Sequence, residues 1–163
     1  MAPAPPAVCG PLSVPPHRES LPATLAFAAL LAGAGLAVRR AQPVLGAALV
    51  AGVSGWLLEN VAFGTRYSRA FGGAPVPFLP VYALGGAAVA AVAPATAHWS
   101  PLARVALDTG TSTAVEFAVC KLERARGECS WSYGPDDACV DVEHSVVLGV
   151  LSSLLGEAVR RGL

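Results

Sequence analysis

Residues 102–119 read LARVALDTGTSTAVEFAV, and the fold turns on how this stretch is understood. Its alanines, valines and leucines suit a helix across a membrane, yet Asp108, Thr109, Thr111, Ser112, Thr113 and Glu116 fall inside it. At about 100° per residue, Asp108, Ser112 and Glu116 spread over only about 80° of helix circumference, with Thr109 and Thr113 beside them. The stretch therefore predicts a helix with one polar stripe. A carboxylate at the centre of a bilayer costs on the order of 2.5–3.5 kcal/mol, so such a stripe must face protein, water or a cation, or carry protons. Arg104, one turn before Asp108, is the nearest counter-charge in the sequence.

Four further apolar segments surround this one. Leu21–Val38 is uncharged and closes on Arg39 and Arg40; residues 44–63 hold a single acid, Glu59. Residues 78–97 follow a basic, glycine- and proline-containing loop, and residues 142–159 carry Glu143 at the start and Glu157 just before Arg160 and Arg161. Each is just long enough to cross about 30 Å of hydrocarbon as a helix. The expectation is an all-α, polytopic transmembrane bundle of about five spans, or four with one re-entrant or peripheral segment. Residues 21–163 form that helical domain. Residues 1–20 contain Pro3, Pro5, Pro6, Pro11, Pro15 and Pro16 without apolar periodicity, and read as a disordered tail. Because the first cation of the tail, Arg18, follows these prolines, residues 21–38 read as a first span rather than a secretory signal.

Composition agrees with this reading. Of 163 residues, 54% are hydrophobic and 13% charged, with a mean hydropathy of +0.56 and zero formal net charge. An ordinary soluble domain carries about 25% charged residues, and five apolar helices with so few charges leave too little polar surface to coat a bundle in water. The balance of charge offers nothing to nucleic acid. The expected partners are the lipid bilayer and, within it, further copies of this chain or other membrane subunits. The expected location is a membrane crossed several times, with no sign of which membrane. Arg18, Arg66, Arg69, Lys121, Arg124 and Arg126 flank one side of the spans, against Arg39, Arg40, Arg104, Arg160 and Arg161 on the other, so the positive-inside rule leaves orientation open.

The chemistry of the chain lies in its few acids. Glu59, Asp108, Glu116 and Glu143, with His144 adjoining the last, are the candidates for a polar core able to hold a cation or relay a proton. The identity of any metal is left open. The alternative reading is structural, with Glu59 and Glu143 at span ends reaching the interface and Asp108 paired with Arg104. In the second span Gly52, Gly55, Trp56 and Glu59 share a face, so small residues permit close helix approach where an indole and an acid point inward. No GxSxG, HExxH or GxxxxGK[ST] occurs, and Ser145 beside His144 makes no dyad, so neither catalysis nor a cofactor is expected.

Cys129 and Cys139 bracket SWSYGPDDA, and a disulfide between them is feasible if the loop folds back; two free thiols are the other reading. A disulfide would put this loop, and the tail with it, in an oxidising compartment. Cys120 reads as a small buried hydrophobe. Zinc is disfavoured by the lack of a CxxC or CxxH pair.

Four stretches occur in an order that resembles a known family. They are GWLLE (residues 55–59), PFLPVYALG (77–85), Glu116-Phe117 followed by Leu122-Glu123, and Trp131-Ser132-Tyr133. Together they are similar to the CmpB-like membrane family that carries an ABC-transporter type IV label, and the last part, through residues 142–146, resembles its transmembrane protein 229-like branch. The similarity runs from Gly55 to Val159. It implies an integral membrane protein of four to five helices, permease-like, and supplies no substrate; ATP hydrolysis would need another chain. Gly55, Trp56, Pro77, Pro80, Tyr82, Trp131 and Tyr133 are the motif residues, and each aromatic also suits anchoring at the membrane interface. Ala83 stands where the family has glycine, and Ser132 where it has aspartate. A non-catalytic membrane scaffold is the other function these features allow.

Overall fold

The computed structural model describes residues 21–59, 78–127, 133 and 138–162. Five helices follow in order: α1 (Leu21–Val38), α2 (Pro43–Leu57), α3 (Pro80–Val92), α4 (Pro101–Ala125) and α5 (Val142–Arg160). The described residues contain no strand; Tyr133 and Ala138 form an isolated antiparallel bridge. The all-α expectation holds. The tail, Pro77, Cys129 and Trp131 lie outside the described residues.

Prolines stand at three of the helix starts. Pro43, Pro80 and Pro101 each stand in the first turn of a helix, where the missing N–H would have had no intrahelical partner. Ser100 caps α4 by accepting from the Ala103 N–H at 3.3 Å, and Asp141 caps α5 by accepting from the His144 N–H at 2.8 Å. The helix expected over residues 78–97 is shorter than that. It stops at Val92, because Pro94 has no N–H to continue the ladder, and the chain turns through a 3-10 helix, Pro94–Thr96. The Thr96 hydroxyl donates to the carbonyls of Val92 and Ala93 at the end of α3. At its other end α2 widens into a π turn at Leu58 and Glu59. Gly127 and Gly162, with φ of 76° and 71°, end α4 and α5 in the left-handed conformation.

The helices run up and down, with α2 packed on α3, α3 on α4 and α4 on α5, while α1 lies chiefly against α2. Small residues make these approaches close. A methyl group on Gly55 would collide with the Tyr82 ring, and one on Gly156 would collide with the Asp108 carboxylate.

The interior is built of small and polar side chains. Buried positions hold alanines and valines such as Ala47, Val53, Ala83, Val89 and Ala90, together with Glu59, Thr96, Asp108, Ser112, Glu116 and Ser152. The large apolar side chains face outward instead: Leu30, Leu102, Val142, Val146, Val150 and Leu154 are all more than half exposed. In α4 the buried residues are Asp108, Ser112, Glu116 and Cys120, one every fourth position, so the face turned to the bundle is the polar one.

Among the described residues, α5 is the one helix long and apolar enough to cross a membrane. α2 and α3 are apolar but, at about 1.5 Å per residue, shorter than a hydrocarbon layer of about 30 Å. Helix length by itself therefore does not establish five spans.

Candidate functional site

The line Asp108, Ser112, Glu116, Cys120 is the axis from which the interior polar groups are built, and its two ends differ in chemistry. At one end Asp108, wholly buried, accepts two hydrogen bonds from the Arg160 guanidinium, both at 2.8 Å. Arg160 also donates to the Thr96 hydroxyl at 3.0 Å, so one fork ties α4, α5 and the 3-10 turn together. This corrects the expected Arg104 partner. Arg104 instead pairs with Glu157 at 3.3 Å, and Glu157 also accepts from Arg161 at 2.9 Å. Asp108 cannot belong to one cluster with Glu116, since two helical turns, about 12 Å, separate them.

At the other end Glu116 is 8% exposed. Its Oε1 accepts the Tyr133 hydroxyl at 2.5 Å, and its Oε2 is buried with no hydrogen-bond partner. On α2, Glu59 is buried and accepts the Tyr82 hydroxyl at 2.6 Å. The Tyr82 ring reaches it because Gly55 leaves room on α2.

Tyr133 is held from several sides. Its N–H donates to the Ala138 carbonyl at 2.9 Å and its carbonyl accepts the Ala138 N–H at 3.1 Å; Cys139, which follows Ala138, is disulfide-bonded to Cys120, one turn beyond Glu116. Cys139 thus pairs with Cys120 and not with Cys129. The physical reason is the antiparallel packing of α4 on α5, which brings the two Cα atoms to 5.7 Å. The Tyr133 ring also lies 4.4 Å, centroid to centroid, from that of His144, whose Nδ1 is 2.9 Å from Asp141 Oδ2. Burial, and then the bond to the Glu116 carboxylate, raise the Tyr133 phenol well above its ordinary value, so it stays a donor. Desolvation raises the Asp141 carboxyl, but the two bonds from His144 outweigh it and hold the group below the usual carboxylate range.

Glu143 does not join this group. It sits exposed in the first turn of α5, so the expected three-helix set reduces to Glu59 and Glu116, with His144 connected through Tyr133. Among the described residues no group of three or more His, Cys, Asp or Glu side chains is arranged to hold a metal ion. Trp56 is half-buried on α2.

Glu116 stands in the wall of a cavity of about 250 Å³ between α2, α3, α4 and α5. Ser112, Ser152 and Tyr82 share the wall, which is otherwise glycine, alanine, valine and leucine apart from Ser54. A larger hollow of about 620 Å³ lies at the opposite end, with Arg39 and Arg40 in its rim. Sequence reasoning missed Thr96, Arg160, Asp141 and Cys120 in their actual roles. Asp141 carried a signal, a capping residue directly before an apolar helix; the others depend on contacts across the bundle.

The class these features define is an all-helical bundle with polar side chains inside and an acidic side chain in an apolar cavity. No protein-family model matches the chain, and neither the curated proteins nor the solved structures give a match.

Proposed function

We propose that this chain is a small multi-pass membrane protein, permease-like or channel-like, in which Glu116 handles a cation or a proton. The observation that carries this reading is a buried carboxylate with one oxygen unpartnered, on the wall of a cavity, in a bundle whose outer surface is leucine and valine. In water that arrangement is costly twice over, since the outside exposes apolar area and the inside desolvates acids. In a bilayer the outside matches its solvent, and the inside marks a path or binding point for positive charge. The motif order that resembles the CmpB-like family agrees with this reading. α2 and α3 would then span with the help of their flanking turns or of local thinning of the bilayer.

The Cys120–Cys139 bond supports an orientation in which the α4–α5 loop faces an oxidising compartment. Arg39, Arg40, Arg160 and Arg161 then lie on the opposite, cytoplasmic side.

The test is flux into proteoliposomes. The purified chain should carry protons or monovalent cations, and Glu116→Gln should reduce the rate by about tenfold or more. Flux unchanged by this substitution removes Glu116 from the mechanism. A second reading, a scaffold that joins other membrane subunits, is favoured by the Asp108–Arg160–Thr96 fork, where an interior acid is spent wholly on fastening helices. Absence of any flux from correctly folded protein would favour it.

A further inference from the structure

We propose that the Glu116 cavity binds a small amphiphilic ammonium ion, a protonated amine with an apolar body. This rests on the reading of Glu116 as the cation-handling group and names the class of cation. Glu116 is the single charged side chain in the cavity wall, more than nine-tenths buried, with Oε2 lacking a hydrogen-bond partner. Two of the neighbouring hydroxyl hydrogens are already used. Ser112 donates to the carbonyls of Asp108 and Thr109, and Tyr82 donates to Glu59. A ligand that donates hydrogen bonds and carries positive charge satisfies Oε2; one that only accepts does not.

The walls decide against a bare metal ion. Calcium takes six to eight oxygen ligands, and magnesium keeps an octahedral shell, whereas this cavity offers one unpartnered carboxylate oxygen and a few neutral hydroxyls among aliphatic side chains. An alkyl or aryl group suits those walls, and the Tyr82 ring adds an aromatic surface of the kind that attracts ammonium groups. The volume of about 250 Å³ falls just below the roughly 300–1,000 Å³ of pockets for drug-sized ligands, so the amine is small. Its route is sideways. Leu154, 65% exposed, belongs to the wall, as does exposed Ser54 on α2, so the cavity reaches the outer surface between α2 and α5, which touch each other far less than α2 touches α3. An amphiphile dissolved in the surrounding lipid can enter there with its charged end leading to Glu116.

The experiment is calorimetric titration of the protein in lipid nanodiscs with phenethylammonium, with empty nanodiscs subtracted. 2-Phenylethanol, which has the same number of non-hydrogen atoms and no charge, serves as the matched probe. Phenethylammonium should bind one per chain, and 2-phenylethanol about tenfold more weakly or worse. Glu116→Gln should weaken the ammonium by about tenfold or more, while exposed Glu143→Gln leaves it unchanged. Ser152→Leu, which fills the cavity and keeps Glu116, should abolish binding, and it decides the matter if Glu116→Gln does not fold. Equal affinity for the two probes, or binding retained in folded Ser152→Leu, overturns the proposal. Glu116-dependent proton or sodium flux without phenethylammonium binding overturns it too while leaving the cation-handling function standing. Binding without flux keeps the site and removes transport.

Discussion

Asp108 and Glu116 stand two turns apart on one face of α4 and meet opposite fates. Asp108 is neutralised by Arg160 with both side chains almost fully buried, whereas Glu116 keeps one oxygen without a partner. Removing one member of a buried ion pair costs about 3–5 kcal/mol because the other charge is stranded, while replacing both with apolar groups is often neutral. Arg160→Met alone should therefore destabilise strongly, and Arg160→Met with Asp108→Leu should recover most of the loss, as read by thermal unfolding in detergent. A smaller effect belongs to Asp141. Asp141→Ala removes the cap of α5 and should cost about 1 kcal/mol. The Asp141 carboxyl titrates lower folded than unfolded, so its contribution is complete above the unfolded value of about 3.9 and is lost as pH falls through the folded one. The difference in melting temperature between Asp141→Ala and the parent should accordingly shrink below that pH. The placing of Asp108, Ser112 and Glu116 on one stripe was legible from helical spacing alone. Their partners were not, since Arg160 lies 52 residues from Asp108 and Tyr133 lies 17 from Glu116, and a periodicity says nothing about what stands opposite.

At the scale of elements, the starts of α1 and α5 follow from where the apolar segments begin, and the end of α3 from Pro94. The expected helix over 78–97 overran because alanine continues on both sides of that proline, so composition hid a break that backbone chemistry imposes. The disulfide is the other correction. A loop bracketed by Cys129 and Cys139 suggested that they pair with each other, yet the close approach of α4 to α5 gives Cys139 a partner inside a helix. That bond fixes the residue next to Ala138, and the Tyr133–Ala138 bridge passes the constraint on to the hydroxyl that bonds Glu116. Cys120→Ser should thus lower stability by about 3 kcal/mol, the chain-entropy value for a loop of this size, and should speed proteolysis of the α4–α5 connection. Unchanged melting and cleavage would mean that the bond does not organise this end of the bundle.

For the whole molecule, the distribution of polarity is what composition could announce only as a total. A chain with 54% hydrophobic residues can bury them or display them, and this one displays many of its leucines while burying Glu59, Asp108 and Glu116. The few charges mark this more clearly than the many alanines, which are nearly neutral to either solvent. The central claim, that the leucine- and valine-covered exterior lies in lipid, is tested most directly by maleimide accessibility in intact membranes. In a background with Cys9→Ser and Cys129→Ser, Leu30→Cys and Leu154→Cys should remain unlabelled by a membrane-impermeant maleimide until detergent is added, with the chain retained in the membrane after an alkaline wash. Rapid labelling of both positions before detergent, with the chain released into the wash, would contradict the account.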